Sequence, residues 1–246
     1  MEMNAKDKLI VALDVDSASQ ALDLFDALHD VVGMFKIGSQ LFTTAGPDVV
    51  RQIVAKGGRV FLDLKFHDIP NTVAAAGVVA TRMGVSIFNV HASGGEEMMK
   101  RTAAIVDEVC LREELEKPKV IAVTLLTSMD EDALAQIGVA NKPRSVVADW
   151  ARLAADCGLD GVVASPQEIE VVREAVGKRD FLIVTPGIRS SANPKDDQRR
   201  VLSAAEAVRA GADYLVVGRP ILNADNPAEA AGRIVGEIAA ALDIDE

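Results

Sequence analysis

The sequence predicts an α/β fold, a single (β/α)8 barrel over residues 1–246, on three observations. Short apolar, β-branched runs recur along the whole chain, the stretches between them carry helix signals, and no shift in composition marks a second domain. Eight runs in 246 residues place one every ~31, close to the length of a βα unit. Barrels of this class commonly fill about 250 residues as one unit.

The runs are 9–15, 35–38, 60–66, 87–90, 120–126, 161–164, 181–184 and 214–217. Continuous apolar runs are the mark of strands buried on both faces, as in a parallel sheet. Helix starts follow them: Ser17 with Gln20, Ser165 with Glu168 and Asn226 with Glu229 have capping-box spacing, and Pro166 and Pro227 fall at first helical positions. Apolar residues then recur at helical spacing, at Met98, Ile105, Val106 and Val109, at Val147, Trp150, Leu153 and Ala154, and at Ile234, Val235 and Ile238. Gly57, Gly158 and Gly211 stand where helices should stop. The alternative, a doubly wound open sheet, lacks its Gly-x-Gly-x-x-Gly turn after the first strand; Gly94-Gly95 after the fourth reads as a loop.

Composition narrows the function. Acidic residues outnumber basic ones 37 to 26, a net charge of −11, which argues against a sequence-independent grip on nucleic acid. An anionic small molecule is still compatible, because one local site can be positive. Two cysteines, Cys110 and Cys157, make no disulfide framework and no thiolate metal cluster. The polar stretch from Met1 to Lys8 lacks an apolar signal core, and no apolar run is long enough to span a membrane, so a reducing cytoplasm is the expected location.

In a barrel, a polar residue that ends an apolar strand points into the catalytic mouth. Asp14 closes the first run, Lys36 sits in the second, and Asp63, Lys65 and Asp68 end the third. Thr124 and Thr127 follow the fifth, Pro186-Gly187-Ile188-Arg189 the seventh and Gly218-Arg219 the eighth. Buried charges without partners are costly, so these groups should meet one another. Period-two alternation puts Asp63 and Lys65 on one face of the third strand, with Leu62, Leu64 and Phe66 on the other. An amine beside two carboxylates is favoured as an ammonium, which suits a proton donor rather than a Schiff-base nucleophile. The same spacing also fits a buried ion-pair network that only staples the barrel.

The last two strand ends suit an anion. Barrels often bind phosphate with the loops after strands seven and eight; glycine lets backbone N–H groups approach, and arginine adds a charged fork. Gly218 and Arg219 supply both, and the polar, non-periodic residues 190–197 suit either a phosphate-closing lid or an ordinary loop. His67 and His91 with Asp63 or Asp68 invite a metal reading, but no His-x-x-x-His spacing exists and Lys65 occupies the place a cation would take. His29 carries no functional signal, and Trp150 and Met98-Met99 read as core or helix surface.

The string Asp63-Leu64-Lys65-Phe66-His67-Asp68-Ile69-Pro70-Asn71-Thr72 closely resembles the signature of bacterial-type orotidine 5′-phosphate decarboxylases. Leu13-Asp14, Phe35-Lys36-Ile37-Gly38, Leu126-Thr127-Ser128, the Pro-Gly-Ile-Arg run and Val217-Gly218-Arg219-Pro220 support it, in the expected order across the whole chain. The resemblance implies cofactor-free and metal-free loss of CO2 from orotidine 5′-phosphate to give UMP, the last step of pyrimidine nucleotide synthesis. Matching positions would make Lys65 the proton donor to C6, in an alternating array of Lys36, Asp63, Lys65 and Asp68. Asp14 and Lys36 would hold the ribose hydroxyls, and Thr127 and Ser128 would lie by the pyrimidine. Pro186, Arg189, Gln198, Gly218 and Arg219 would serve the substrate, the last four mainly at its phosphate. The resemblance also implies a homodimer in which Asp68 and Thr72 enter the neighbouring subunit's site.

Two rivals share parts of the pattern. Metal-dependent sugar-phosphate enzymes of the hexulose-phosphate synthase type carry the same Asp-x-Lys-x-x-Asp core, and a non-catalytic nucleotide-phosphate sensor could use the same mouth.

Overall fold

A computed structural model describes residues 4–188 and 202–242. In chain order the regular elements are β1 (Leu9–Ala12), α1 (Ala18–Leu28), β2 (Met34–Gly38), α2 (Ser39–Ala45), α3 (Asp48–Ala55), β3 (Val60–Phe66), α4 (Pro70–Arg82), β4 (Ile87–His91) and α5 (Gly95–Glu113). They continue with β5 (Lys119–Val123), α6 (Glu131–Gln136), α7 (Pro143–Asp156), β6 (Gly161–Val163), α8 (Ile169–Val176), β7 (Leu182–Pro186), α9 (Ala204–Arg209), β8 (Tyr214–Val217), α10 (Arg219–Leu222) and α11 (Pro227–Leu242). Every strand pairs in parallel with the next, and β8 pairs with β1, so the sheet closes into the expected eight-stranded barrel.

Strand parity sorts the side chains into two cores. Ile10 and Ala12, Met34, Phe61, Ile87, Ile121, Val184, Tyr214 and Val216 point inward and fill the barrel. Alternate residues, among them Leu9, Val11, Phe35, Ile37, Leu62, Phe88 and Val90, pack outward against the helices. The apolar runs outlast two strands. Leu13 and Leu125 are buried although β1 and β5 have ended, because both still pack into the core between barrel and helices.

The local signals act as expected. Ser17 caps α1 by accepting the Gln20 N–H, Glu168 Oε2 reaches back to accept the Ser165 N–H at 2.9 Å, and Asn226 Oδ1 accepts the Glu229 N–H at 3.2 Å. Gly57, Gly158 and Gly211 adopt φ of 84°, 79° and 104°, which ends the preceding helices. Met98 and Met99 are core residues, and Trp150 packs half-buried against the core. Helices α4 and α5 are joined by Arg82, which donates to both oxygens of Glu113 at 2.9 and 2.7 Å; those bonds, then one from Arg112, hold the Glu113 carboxyl at about 2.

Candidate active site

In five of the strands the inward face continues past the apolar floor in steps of two. Ile10 and Ala12 lead to Asp14, Met34 to Lys36 and Gly38, and Phe61 to Asp63 and Lys65. Ile87 leads to Asn89 and His91, and Tyr214 and Val216 lead to Gly218. A polar layer therefore sits at the C-terminal end of the barrel.

Four of its charges form one chain. Lys36 Nζ lies 3.0 Å from Asp14 Oδ1 and 3.4 Å from Asp63 Oδ2. Lys65 Nζ donates to Asp63 Oδ1 at 2.6 Å. Lys36 is only 8% exposed and Asp63 is buried with it, whereas Asp14 and Lys65, at the two ends of the chain, reach solvent. Signs alternate along it, so each buried charge has a partner and the cost of burying it is offset.

Gly38 keeps this arrangement open. A Cβ there would stand 2.8 Å from Lys36 Nζ and 3.5 Å from Asp14 Oδ1, inside the space the ammonium occupies. Gly218 is similarly placed, with Asp14 Oδ2 3.7 Å from where its Cβ would be, and Arg219 opens α10 beside it.

The backbone at Lys65 is irregular. Its φ is +54°, in the left-handed region that costs a non-glycine residue on the order of 1–3 kcal/mol. The β3–β4 register shifts at the same place: Leu62 pairs with Phe88 and Phe66 with Val90, so three residues of β3 face Asn89 alone. Asn89 is fully buried, accepts the Lys65 N–H at 2.8 Å and donates to Asp63 Oδ1 at 2.7 Å. Sequence reasoning missed Asn89, although its inward parity above Ile87 and its amide in an apolar strand were the available signals.

The other expected residues fall into three groups. Asp68 lies on the rim, exposed, its Oδ1 accepting the adjacent Ile69 N–H at 2.6 Å, and Thr72 is exposed on the first turn of α4. Within this chain the ion-paired array is thus Asp14–Lys36–Asp63–Lys65, with one carboxylate beside Lys65 rather than two; the chain leaves the strand after Phe66 and carries Asp68 outward. Thr127 and Ser128 are in the loop after β5, and Pro186 ends β7. Arg189, Gln198 and the 190–197 segment lie outside the described residues. Thr124, expected in the mouth, is instead buried with its hydroxyl donating to the Val163 carbonyl at 2.9 Å, on the outward parity from Val123.

His67 and His91 face each other with ring centroids 5.3 Å apart. Burial, then His67 and the Lys65 charge, pushes the His91 imidazole below its ordinary range, which favours its neutral form. Among the described residues no group of three or more His, Cys, Asp or Glu is placed to hold a metal ion.

The fold and this mouth define a (β/α)8-barrel enzyme with an ion-paired site at its strand C-termini. The sequence profile of the orotidine 5′-phosphate decarboxylase / HUMPS family matches residues 7–234, and the chain belongs to that family. The orotidine 5′-phosphate decarboxylase of Geotalea daltonii is 54% identical over 236 residues, covering 96% of this chain and 98% of the relative. That of Moorella thermoacetica is 52% identical over 239 residues, covering 97% and 94%. A crystal structure of orotidine 5′-phosphate decarboxylase from Lactobacillus acidophilus superposes with a TM-score of 0.82 at 36% identity, covering 94% of this chain and 98% of the other.

Proposed function

We propose that this chain decarboxylates orotidine 5′-phosphate to UMP and CO2, without a cofactor, and that Lys65 is the residue at the reacting carbon. The observation that carries the reading is the Asp14–Lys36–Asp63–Lys65 chain, buried at Lys36 and Asp63, which fixes one ammonium at the barrel mouth.

The chemistry asks for such a group. Breaking the bond from C6 to the carboxylate leaves an electron pair in the plane of the pyrimidine, where the ring π system cannot spread it. The pair then takes a proton from Lys65 Nζ, CO2 departs, and the lysine recovers its proton from water. An ammonium 4 Å from the forming carbanion, at an effective dielectric of about 20, stabilises it by about 4 kcal/mol. Each 1.36 kcal/mol is tenfold in rate, so this contact supplies about a thousandfold. Because Asp63 and Asn89 hold Lys65 in place beforehand, little reorganisation opposes the reaction.

Further acceleration comes from binding energy remote from the reacting carbon. In this reading Asp14 and Lys36 engage the ribose hydroxyls, and Thr127 and Ser128 flank the base. Pro186, Arg189, Gln198, Gly218 and Arg219 serve the rest of the substrate, mainly the phosphate. Phosphate binding offsets the cost of placing the substrate carboxylate beside Asp63, where like charges repel until CO2 leaves.

We also infer a homodimer with shared sites. Asp68 and Thr72 are exposed beside Ile69, which is 66% exposed, and a groove between α4 and α5 has an apolar stretch of Ala74, Ala75, Val78, Ala104 and Ile105 flanked by Asn71, Arg101 and Glu108. A second copy over this face would cover the groove's apolar stretch and bring Asp68 to the neighbouring Lys65. Among the described residues no helix is long and apolar enough to cross a membrane. The thiols of Cys110 and Cys157, buried and unbridged, suit a reducing cytoplasm.

The test is the absorbance change of orotidine 5′-phosphate incubated with the protein and a chelator. Turnover undiminished by the chelator is expected. Turnover only with a divalent ion would favour a sugar-phosphate enzyme, and UMP binding without turnover would favour a sensor.

A further inference from the structure

We propose that Asn89 is the positioning residue of the site: one buried amide sets both the backbone conformation of Lys65 and the orientation of the carboxylate that holds its ammonium. The inference rests on the decarboxylase reading above and extends it to a residue that never meets the substrate.

Its hydrogen bonds close a ring. Asn89 Nδ2 donates to Asp63 Oδ1 at 2.7 Å, that same oxygen accepts Lys65 Nζ at 2.6 Å, and the Lys65 N–H returns to Asn89 Oδ1 at 2.8 Å. The ring contains the proposed proton donor twice, once through its side chain and once through its main chain. The carboxylate cannot turn without giving up its bond to the Asn89 amide, and it is this carboxylate that holds the amine.

The ring also explains the irregular backbone. Between Leu62 and Phe66, β3 advances four residues while β4 advances two, from Phe88 to Val90. The ladder cannot pair Asp63, Leu64 and Lys65 one for one, so a side chain does it: Asn89 takes the Lys65 N–H that regular pairing would have used. The other edge of β4 is undisturbed, with Asn89 opposite Ile121 in an unbroken register to β5. Asn89 is thus anchored on a regular strand and imposes order on a bulged one. A φ of +54° at Lys65 persists because this partner is there to receive its N–H.

The residue type follows from the two partners. One is an N–H, which needs an acceptor, and the other a carboxylate, which needs a donor; an amide offers both on one rigid plane. Aspartate would set an acceptor against Asp63, and leucine, of similar size, would leave the Lys65 N–H without a partner. A lysine or arginine would add a third cation around Asp63, which already has Lys36 and Lys65. Only a neutral side chain orients Asp63 without breaking the alternation of charge.

The experiment compares Asn89→Leu and Asn89→Asp with the parent for kcat and KM on orotidine 5′-phosphate, UMP affinity and circular dichroism. A misplacement on the order of 1 Å costs about a hundredfold, so kcat should fall by about 10² in both variants. KM and UMP affinity should stay within about threefold, because the phosphate and ribose contacts are elsewhere. A folded variant with kcat within threefold of the parent would overturn the proposal, as would a fall in kcat matched by an equal loss of UMP affinity. Failure of both variants to fold would assign Asn89 to stability instead, and so overturn it too. A parent that turns over normally beside unimpaired variants sinks only the role of Asn89, whereas an inactive parent sinks the decarboxylase reading with it.

Discussion

Replacing Lys65 by alanine is expected to lower kcat on orotidine 5′-phosphate by about 10⁵ while the barrel stays folded. The electrostatic contact contributes about a thousandfold, and loss of a positioned proton donor at least about a hundredfold more. The fold should survive because Asp63 keeps two partners, Lys36 at 3.4 Å and Asn89 at 2.7 Å, so no carboxylate is left buried alone. UMP affinity should change little, since the phosphate end of the site is on other strands. Lys65→Gly should be equally inactive but more stable than Lys65→Ala, because φ of +54° carries no Cβ penalty for glycine. Steady-state assay and thermal melts of the three proteins check both parts; near-normal turnover in either variant would remove Lys65 from the chemistry.

Mixing two dead proteins should restore activity. Under the proposed shared-site dimer, Lys65→Ala and Asp68→Asn are each inactive because every site lacks one charged group. In a heterodimer, one site takes Lys65 from the Asp68→Asn subunit and Asp68 from the Lys65→Ala subunit, and is whole; the other carries both defects. Random exchange of equal amounts makes half the dimers mixed with one of two sites intact, so about one quarter of parent activity should return. Assay after subunit exchange, confirmed by mass-tagged subunits, decides it. No recovery would leave Asp68 with the place the structure shows within its own chain, at the rim and bonded to Ile69.

Much of this was open to reading in the sequence. The runs at 9–15 and 60–66 read as strands because burial on both faces demands unbroken apolar stretches, and Ser17, Asn226 and the glycine stops act through local geometry alone. Lys36, Asp63 and Lys65 were equally legible, since charge inside such runs has few explanations other than mutual pairing. What period-two spacing did not reveal was the bulge. It depends on two strands at once, on β3 outrunning β4, and so hid both the positive φ of Lys65 and the role of Asn89. Thr124 misled for a related reason. A hydroxyl at a strand end satisfies itself on the nearest carbonyl, here Val163, as readily as on a ligand.

A UMP analogue that carries a negatively charged oxygen at C6 offers the most direct measurement. It places on the ligand the charge that the reaction develops, so its affinity relative to UMP reads the stabilisation itself. The parent should bind it about a thousandfold more tightly than UMP, and Lys65→Ala should lose that preference. Equal affinities in the parent, or a preference that survives in Lys65→Ala, would contradict the claim that a fixed lysine ammonium drives the reaction.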